Sequence, residues 1–364
     1  MTDQDELLSV HNAALVQGID PLKADHALHR LQLQNAACDV RHLAQALLGI
    51  LPSADAVDSF SVEEGVAAVR DLGMYLGSLK RCGVQPATAV PAVVPVLTRL
   101  ARLTGTIPRD TVYHYTVWNP TGTRERTYTG DLMERHLIQA VRHSAPALSH
   151  AVDACVRLSR TDPHDPDYAA ESRHIAGLLA ACDDAMKSVL TTVSPEFFAQ
   201  TLRPYFEDVA IEGRPYLGPA AAHLPLSLLD LIIWASDRAD STYLRFCQEV
   251  GVHTLPRWRR LYDTAARSAS QVTRLRVARA SASGVADRRR IAESAVGLSL
   301  VLKRLSSFRG KHLVMARRAY AHDRRRYELG SGGGSVDLLE GVLQGTREAR
   351  RTETTEAAIV FPDA

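Results

Sequence analysis

Leu302-Lys303-Arg304-Leu305-Ser306-Ser307-Phe308-Arg309-Gly310-Lys311-His312-Leu313 is the stretch that decides the fold. Extended in both directions, its apolar residues fall at Leu298, Leu302, Leu305, Phe308, Met315 and Ala319. Steps of three and four place them on one stripe of an α-helix. His312 lies on the same stripe, so its imidazole points where the leucines point, into the core. A polar ring in a core needs a partner, either a hydrogen bond or a metal. Both readings stand at this point.

Working outward, helical periodicity recurs along most of the chain, with short breaks at Pro and Gly. Residues up to about 51 read as two or three helices. Further helices are expected over 62–82, 92–104 and 131–156, the last kinked or interrupted at Pro146. Residues 112–117 are β-branched and aromatic, and fit a short strand or part of a helix equally. Asp162-Pro163-His164-Asp165-Pro166-Asp167 reads as a loop that caps the next helix, expected over 172–193. Ser194-Pro195-Glu196 opens another, with proline where its missing N–H costs nothing. Residues 212–219 look irregular. The run 225–235 is apolar on all sides and is expected to be a central core helix. A last helix over 336–350 and a frayed polar tail from Thr352 complete the reading. The expected class is all-α. Residues 1–105 form a smaller N-terminal helical region, 106–351 the larger helical domain that carries the site, and 352–364 the tail.

The formal net charge is +2, which gives no concentrated basic face for nucleic acid. The triplets Arg288-Arg289-Arg290 and Arg324-Arg325-Arg326 read as solvated helix faces. Cys38, Cys82, Cys155, Cys182 and Cys247 form no C-x-x-C pair, so covalent heme attachment, zinc ribbons and iron–sulfur clusters lack support. An odd, scattered set of thiols suits a reducing cytoplasm. The acidic N-terminus has no signal-peptide character, and no apolar run reaches membrane-spanning length. A cytoplasmic protein without membrane or nucleic-acid partners is expected, and a homodimer is compatible with the sequence.

Two features bear on His312. Arg309 stands one turn earlier on a neighbouring face, and a heme needs an axial imidazole and cations for its propionates. The run Gly330-Ser331-Gly332-Gly333-Gly334-Ser335 offers backbone amides that approach a ligand closely, with Ser331 and Ser335 as hydroxyl donors. A flexible linker would have the same composition.

The segment 302–313, followed by Gly330-Ser331-Gly332-Gly333 and Asp337-Leu338-Leu339, resembles the C-terminal signature of the indoleamine/tryptophan 2,3-dioxygenase superfamily. There, an R-x-x-H helix and a G-[ST]-G-G loop precede the last helix. Ser194-Pro195-Glu196-Phe197-Phe198-Ala199-Gln200-Thr201-Leu202-Arg203-Pro204-Tyr205 resembles its helix bearing an aromatic residue and a substrate-binding arginine. Ile107-Pro108-Arg109-Asp110-Thr111-Val112-Tyr113 is similar to its L-P-P-x-x-V-Y segment at the distal pocket. Ser331 where the plain dioxygenases usually carry threonine fits the pyrrolnitrin-pathway branch, that of the monodechloroaminopyrrolnitrin synthases. So do Leu76-Gly77-Ser78-Leu79-Lys80-Arg81, Thr116-Val117-Trp118-Asn119-Pro120-Thr121, Tyr128-Thr129-Gly130 and Tyr216-Leu217-Gly218-Pro219.

The resemblance implies a helical bundle around heme b, with dioxygen as co-substrate. It implies His312 as the iron ligand and Arg309 on a propionate. Arg203 would pair with an amino-acid carboxylate, and Ser331, Gly332 and Gly333 would meet the amino-acid head. Phe198 and Tyr113 would line the ring pocket, with Thr116 near the same segment. No catalytic acid or base is assigned: His136, Gln139, Arg142, His143 and His114 all border the expected pocket. Tyr320 would pack near the His312 face. The function implied is a heme-dependent oxygenase of tryptophan or a modified, for example chlorinated, tryptophan in secondary metabolism. The rivals are a tyrosine-type hydroxylase or peroxygenase, disfavoured because Ala316 replaces that subgroup's heme-linking cysteine, and a non-catalytic heme sensor.

Overall fold

The computed structural model describes residues 10–219, 224–322 and 333–360. Among these residues the protein is helical throughout, apart from one two-stranded hairpin. The helix read from the opening stretch runs from Gly284 to His322 as one element. Leu298, Leu302, Leu305, Met315 and Ala319 are buried along it, as the stripe requires. The last helix, Val336–Val360, packs along it and continues past the expected end. Ser335 caps it by accepting the Leu338 N–H at 3.1 Å.

A second long helix, Val62–Arg81, is buried on every side from Gly65 to Leu79. Ser61 and Glu64 form a capping box at its start, and Lys80 and Arg81 oppose the dipole at its end. Its polar residues conceal this burial in the sequence. Arg70 and Asp71 lie side by side in the interior, paired at 2.8 Å, so the helix is buried without being apolar. The run 225–235 is buried as expected, but only Leu226–Asp230 is α-helical; Leu231–Ala235 is a π-turn.

The helix Leu132–Leu158 runs through Pro146 without interruption. The expected single helix over 172–193 is instead two, Pro166–Leu178 and Ala180–Thr192, joined at Leu179. Gly177 stands in the last turn before that joint, and both halves pack on Leu132–Leu158 and on Gly284–His322. Asp165 caps the first half and Pro166 occupies its first turn, as the acidic loop predicts. Within the loop expected to be irregular, Arg214–Tyr216 forms strand β2, paired antiparallel with strand β1 (Val209–Ile211) just before it. Glu212 and Gly213 both have positive φ, 51° and 76°, which is the backbone of a type I′ hairpin turn. Two of the scattered cysteines pair: Cys38 and Cys82 form a disulfide across two helix ends, while Cys155, Cys182 and Cys247 are buried and free. Arg288, Arg289 and Arg290 are exposed as expected; Arg324-Arg325-Arg326 lies outside the described residues. No helix among the described residues is long and apolar enough to cross a membrane.

Candidate functional site

Eight helical segments and two loops surround a cavity of about 1170 Å³ of empty space, counting its open mouth. Gly284–His322 supplies its floor through His312, Met315, Ala316, Ala319 and Tyr320. Met186 and Val189 come from Ala180–Thr192, and Leu137 and Val141 from Leu132–Leu158. Phe246, Val336 and Leu339 close another side. The wall is predominantly apolar with a few convergent polar groups, the usual character of a small-molecule site.

His312 is the first of those groups. Its ring stacks on Phe308, with centroids 5.9 Å apart, and among the described residues it has no hydrogen-bond partner. Burial, with the charge of Arg309 adding, pushes its pKa down to about 4. It is therefore a neutral imidazole on the cavity wall. Of the two readings of a histidine on an apolar stripe, the hydrogen-bonded core residue is not what the structure shows.

Arg203 and Phe198 are brought to the same wall by an unusual backbone. Ser194 accepts the Phe197 N–H at 3.0 Å, and Phe197–Leu202 then winds as a π-turn before tightening into the 3₁₀ turn Arg203–Phe206. The i→i+5 bonding of a π-turn brings positions five apart onto one face, where an α-helix would separate them. Phe198 and Arg203 are such a pair. Arg203 is buried, so a ligand carboxylate would meet its guanidinium away from bulk water.

Residues 112–117 resolve as one helical turn, Val112–Tyr115. Val112, Tyr115 and Thr116 face the cavity. Tyr113, expected to line the ring pocket, is instead buried between Trp118 and Trp258, each ring centroid 5.8 Å away. Tyr115 takes the place on the wall expected for Tyr113; its hydroxyl donates to Glu134 at 2.8 Å and its ring lines the cavity. Thr116 donates its hydroxyl to the Val112 carbonyl.

None of the candidate acid–base residues lines the cavity. Arg142 donates to the carbonyls of Thr116, Asn119 and Pro120 and so staples the segment that carries Thr116. His114 Nδ1 accepts the Thr111 N–H at 3.0 Å inside the core. His136 is half-buried on the flank of its helix, and Gln139 and His143 are exposed.

Arg309 is buried and engaged elsewhere. Its Nη2 donates to Asp230, which also accepts from the Trp234 indole N–H at 3.1 Å and from the Tyr243 hydroxyl. Its Nε is buried without a partner among the described residues, and burial pushes its pKa down to about 10. Ser331 and Gly332 lie outside the described residues. Gly333 has φ 80°, and its neighbour Gly334 lies on the cavity wall, so the glycine run does reach the site. Tyr320 also stands on the wall, its hydroxyl buried without a partner among the described residues. Met186, Val189, Phe206 and Phe246 were missed, since nothing in an apolar residue's spacing separates a cavity wall from a packed core.

The fold and the site together define an all-α protein with an enclosed, largely apolar ligand cavity, an open imidazole and a buried arginine in one wall. The family model described as Monodechloroaminopyrrolnitrin synthase PrnB matches residues 12–358, and the chain belongs to that family. The match bears out the branch expected from the segments quoted above. It is a family of oxidative enzymes that act on a tryptophan derivative.

Proposed function

We propose that this protein is a heme-dependent oxygenase of tryptophan or a chlorinated tryptophan, working in secondary metabolism. The observation that carries the reading is His312: a neutral imidazole, without a partner among the described residues, on the wall of a largely apolar cavity. The residues present fit a heme. His312 would hold the iron, and the apolar floor of Met315, Ala316 and Ala319 would take the macrocycle. Arg309 keeps Nη2 on Asp230 and has Nε left to donate; this reading assigns it to a propionate. The chemistry heme supplies when bound is the activation of dioxygen.

The remaining work belongs to the chain's own side chains. Arg203 would pair with the substrate carboxylate and set the orientation of the ring. Phe198, Tyr115 and Phe206 offer aromatic faces against which an indole would lie. The apolar wall keeps water from the reacting ring. Ser331, Gly332 and Gly333 are assigned to the amino-acid head on the strength of the superfamily resemblance. The family description, that of a synthase, favours ring rearrangement over ring cleavage as the outcome.

The test is an optical spectrum of the heme-reconstituted protein, ferric and then reduced with CO, titrated with L- and D-tryptophan, 7-chlorotryptophan and tyrosine. A histidine-type Soret band that shifts with a tryptophan is expected, and His312→Ala should abolish it. No Soret band in the wild type, or an unchanged one in His312→Ala, would overturn the heme assignment. A shift with tyrosine alone would move the substrate class to the hydroxylase reading.

A further inference from the structure

Arg109 is fully buried beneath the cavity wall, yet it touches nothing in the cavity. Its Nη1 donates to two carbonyls, that of Glu207 at 2.6 Å and that of Tyr216 at 2.9 Å. These carbonyls flank the hairpin of β1 and β2. Glu207 directly follows the 3₁₀ turn Arg203–Phe206, and Tyr216 ends β2, three residues before Pro219 on the cavity wall. One guanidinium therefore ties together both chain ends that leave the hairpin for the site. Asp110, buried beside it with its carboxylate 3.5 Å from Nε, compensates the charge.

Two further contacts press on the same place. The Leu217 N–H donates to His253 Nε2 at 3.2 Å, while His253 Nδ1 donates to the Glu249 carbonyl at 3.1 Å, which fixes that imidazole's tautomer. Gly218 lies so close to Phe206 that an added Cβ would fall 2.4 Å from its carbonyl oxygen. The turn carrying Arg203 is thus held from below by Arg109 and pressed from the side by Gly218.

We infer that Arg109 is a positioning residue for Arg203: the bridge its Nη1 makes between the Glu207 and Tyr216 carbonyls sets the 3₁₀ turn and so aims the Arg203 guanidinium at the substrate carboxylate. This rests on the assignment of Arg203 to that carboxylate. Both bonds leave the single nitrogen Nη1, which a planar guanidinium holds in place at the end of a longer side chain than lysine's. Arg109→Lys keeps the charge next to Asp110 and draws the donor back from the two carbonyls. A misaimed clamp costs carboxylate binding and spares ring binding, whereas general loosening would cost both.

The experiment measures binding of L-tryptophan and of indole, which lacks the carboxylate, by calorimetry on the heme-reconstituted protein. Arg109→Lys is expected to weaken L-tryptophan about tenfold and indole less than twofold, the scale of one charge-assisted hydrogen bond. Gly218→Ala, which pushes on the same turn from the other side, should show the same selective loss and serves if Arg109→Lys does not fold. Equal losses on both ligands, or an unchanged preference in a folded variant, would overturn the inference. A wild type that does not prefer L-tryptophan over indole would instead sink the Arg203 assignment, a separate result.

Discussion

Two groups of buried polar side chains in this molecule behave in opposite ways. Around Asp71 every charge is answered. Arg70 holds Asp71 through Nε and Nη2, both at 2.8 Å, and spends Nη1 on the Val16 carbonyl at 2.7 Å. Arg126 adds a bond to Asp71 at 3.1 Å and reaches Asp25, which Arg124 also holds at 2.8 Å. Around the cavity, His312 and the Tyr320 hydroxyl are left without partners among the described residues. Unpaired polar groups in a dry wall cost free energy. The first group holds the fold together, and the second lines the cavity proposed as the site.

Predictions follow from that contrast in order of size. Asp71→Ala strips the partner from two buried guanidinium groups and should destabilise the fold by about 3–5 kcal/mol in urea unfolding. A loss below about 1 kcal/mol would mean that the interior pair is not what it appears and that the contrast fails on its structural side. Arg203→Ala probes the other side. It should weaken L-tryptophan binding by about 1.5–3 kcal/mol while indole binding changes little, since only a charged hydrogen-bonding partner is removed. Equal loss for both ligands would remove the clamp.

The smallest expected effect is with pH. The pKa of His312 lies at about 4, so the ring stays neutral as the solution is acidified through the ordinary histidine range near 6.5. Heme retention, followed by the Soret band, should stay flat from pH 8 to about 5 and fall only as pH drops through about 4. A midpoint near 6.5 would show that His312 is water-exposed and would place it outside the cavity wall.

The helix that carries His312 was legible because its apolar residues repeat at steps of three and four over many turns, a local pattern that nothing else imitates. The class of the fold followed from the same rhythm elsewhere. The wall formed by residues 112–117 was not legible. A strand would set Tyr113, Tyr115 and Val117 on one face; a helical turn sets Val112, Tyr115 and Thr116 there. The sequence is too short at that point to choose, so the pocket tyrosine was expected one face away from where it stands. The π-turn that aligns Phe198 with Arg203 likewise has no spacing signature of its own. The hairpin at 209–216 was missed because its strands are too short to show an alternating pattern.

By itself, the sequence determined that the chain is helical, that His312 faces inward, and which motifs place it among its relatives. These are properties of local periodicity and residue identity, and they survive without knowing what packs on what. Only the tertiary structure decided whether each buried polar group was answered. Arg309 is next to His312 in sequence, yet its partner is Asp230, 79 residues away. Nothing in the sequence around Arg109 shows that its Nη1 meets the carbonyls of Glu207 and Tyr216, about a hundred residues away. Pairing in an interior depends on which elements the whole fold brings together, and no local pattern carries that information.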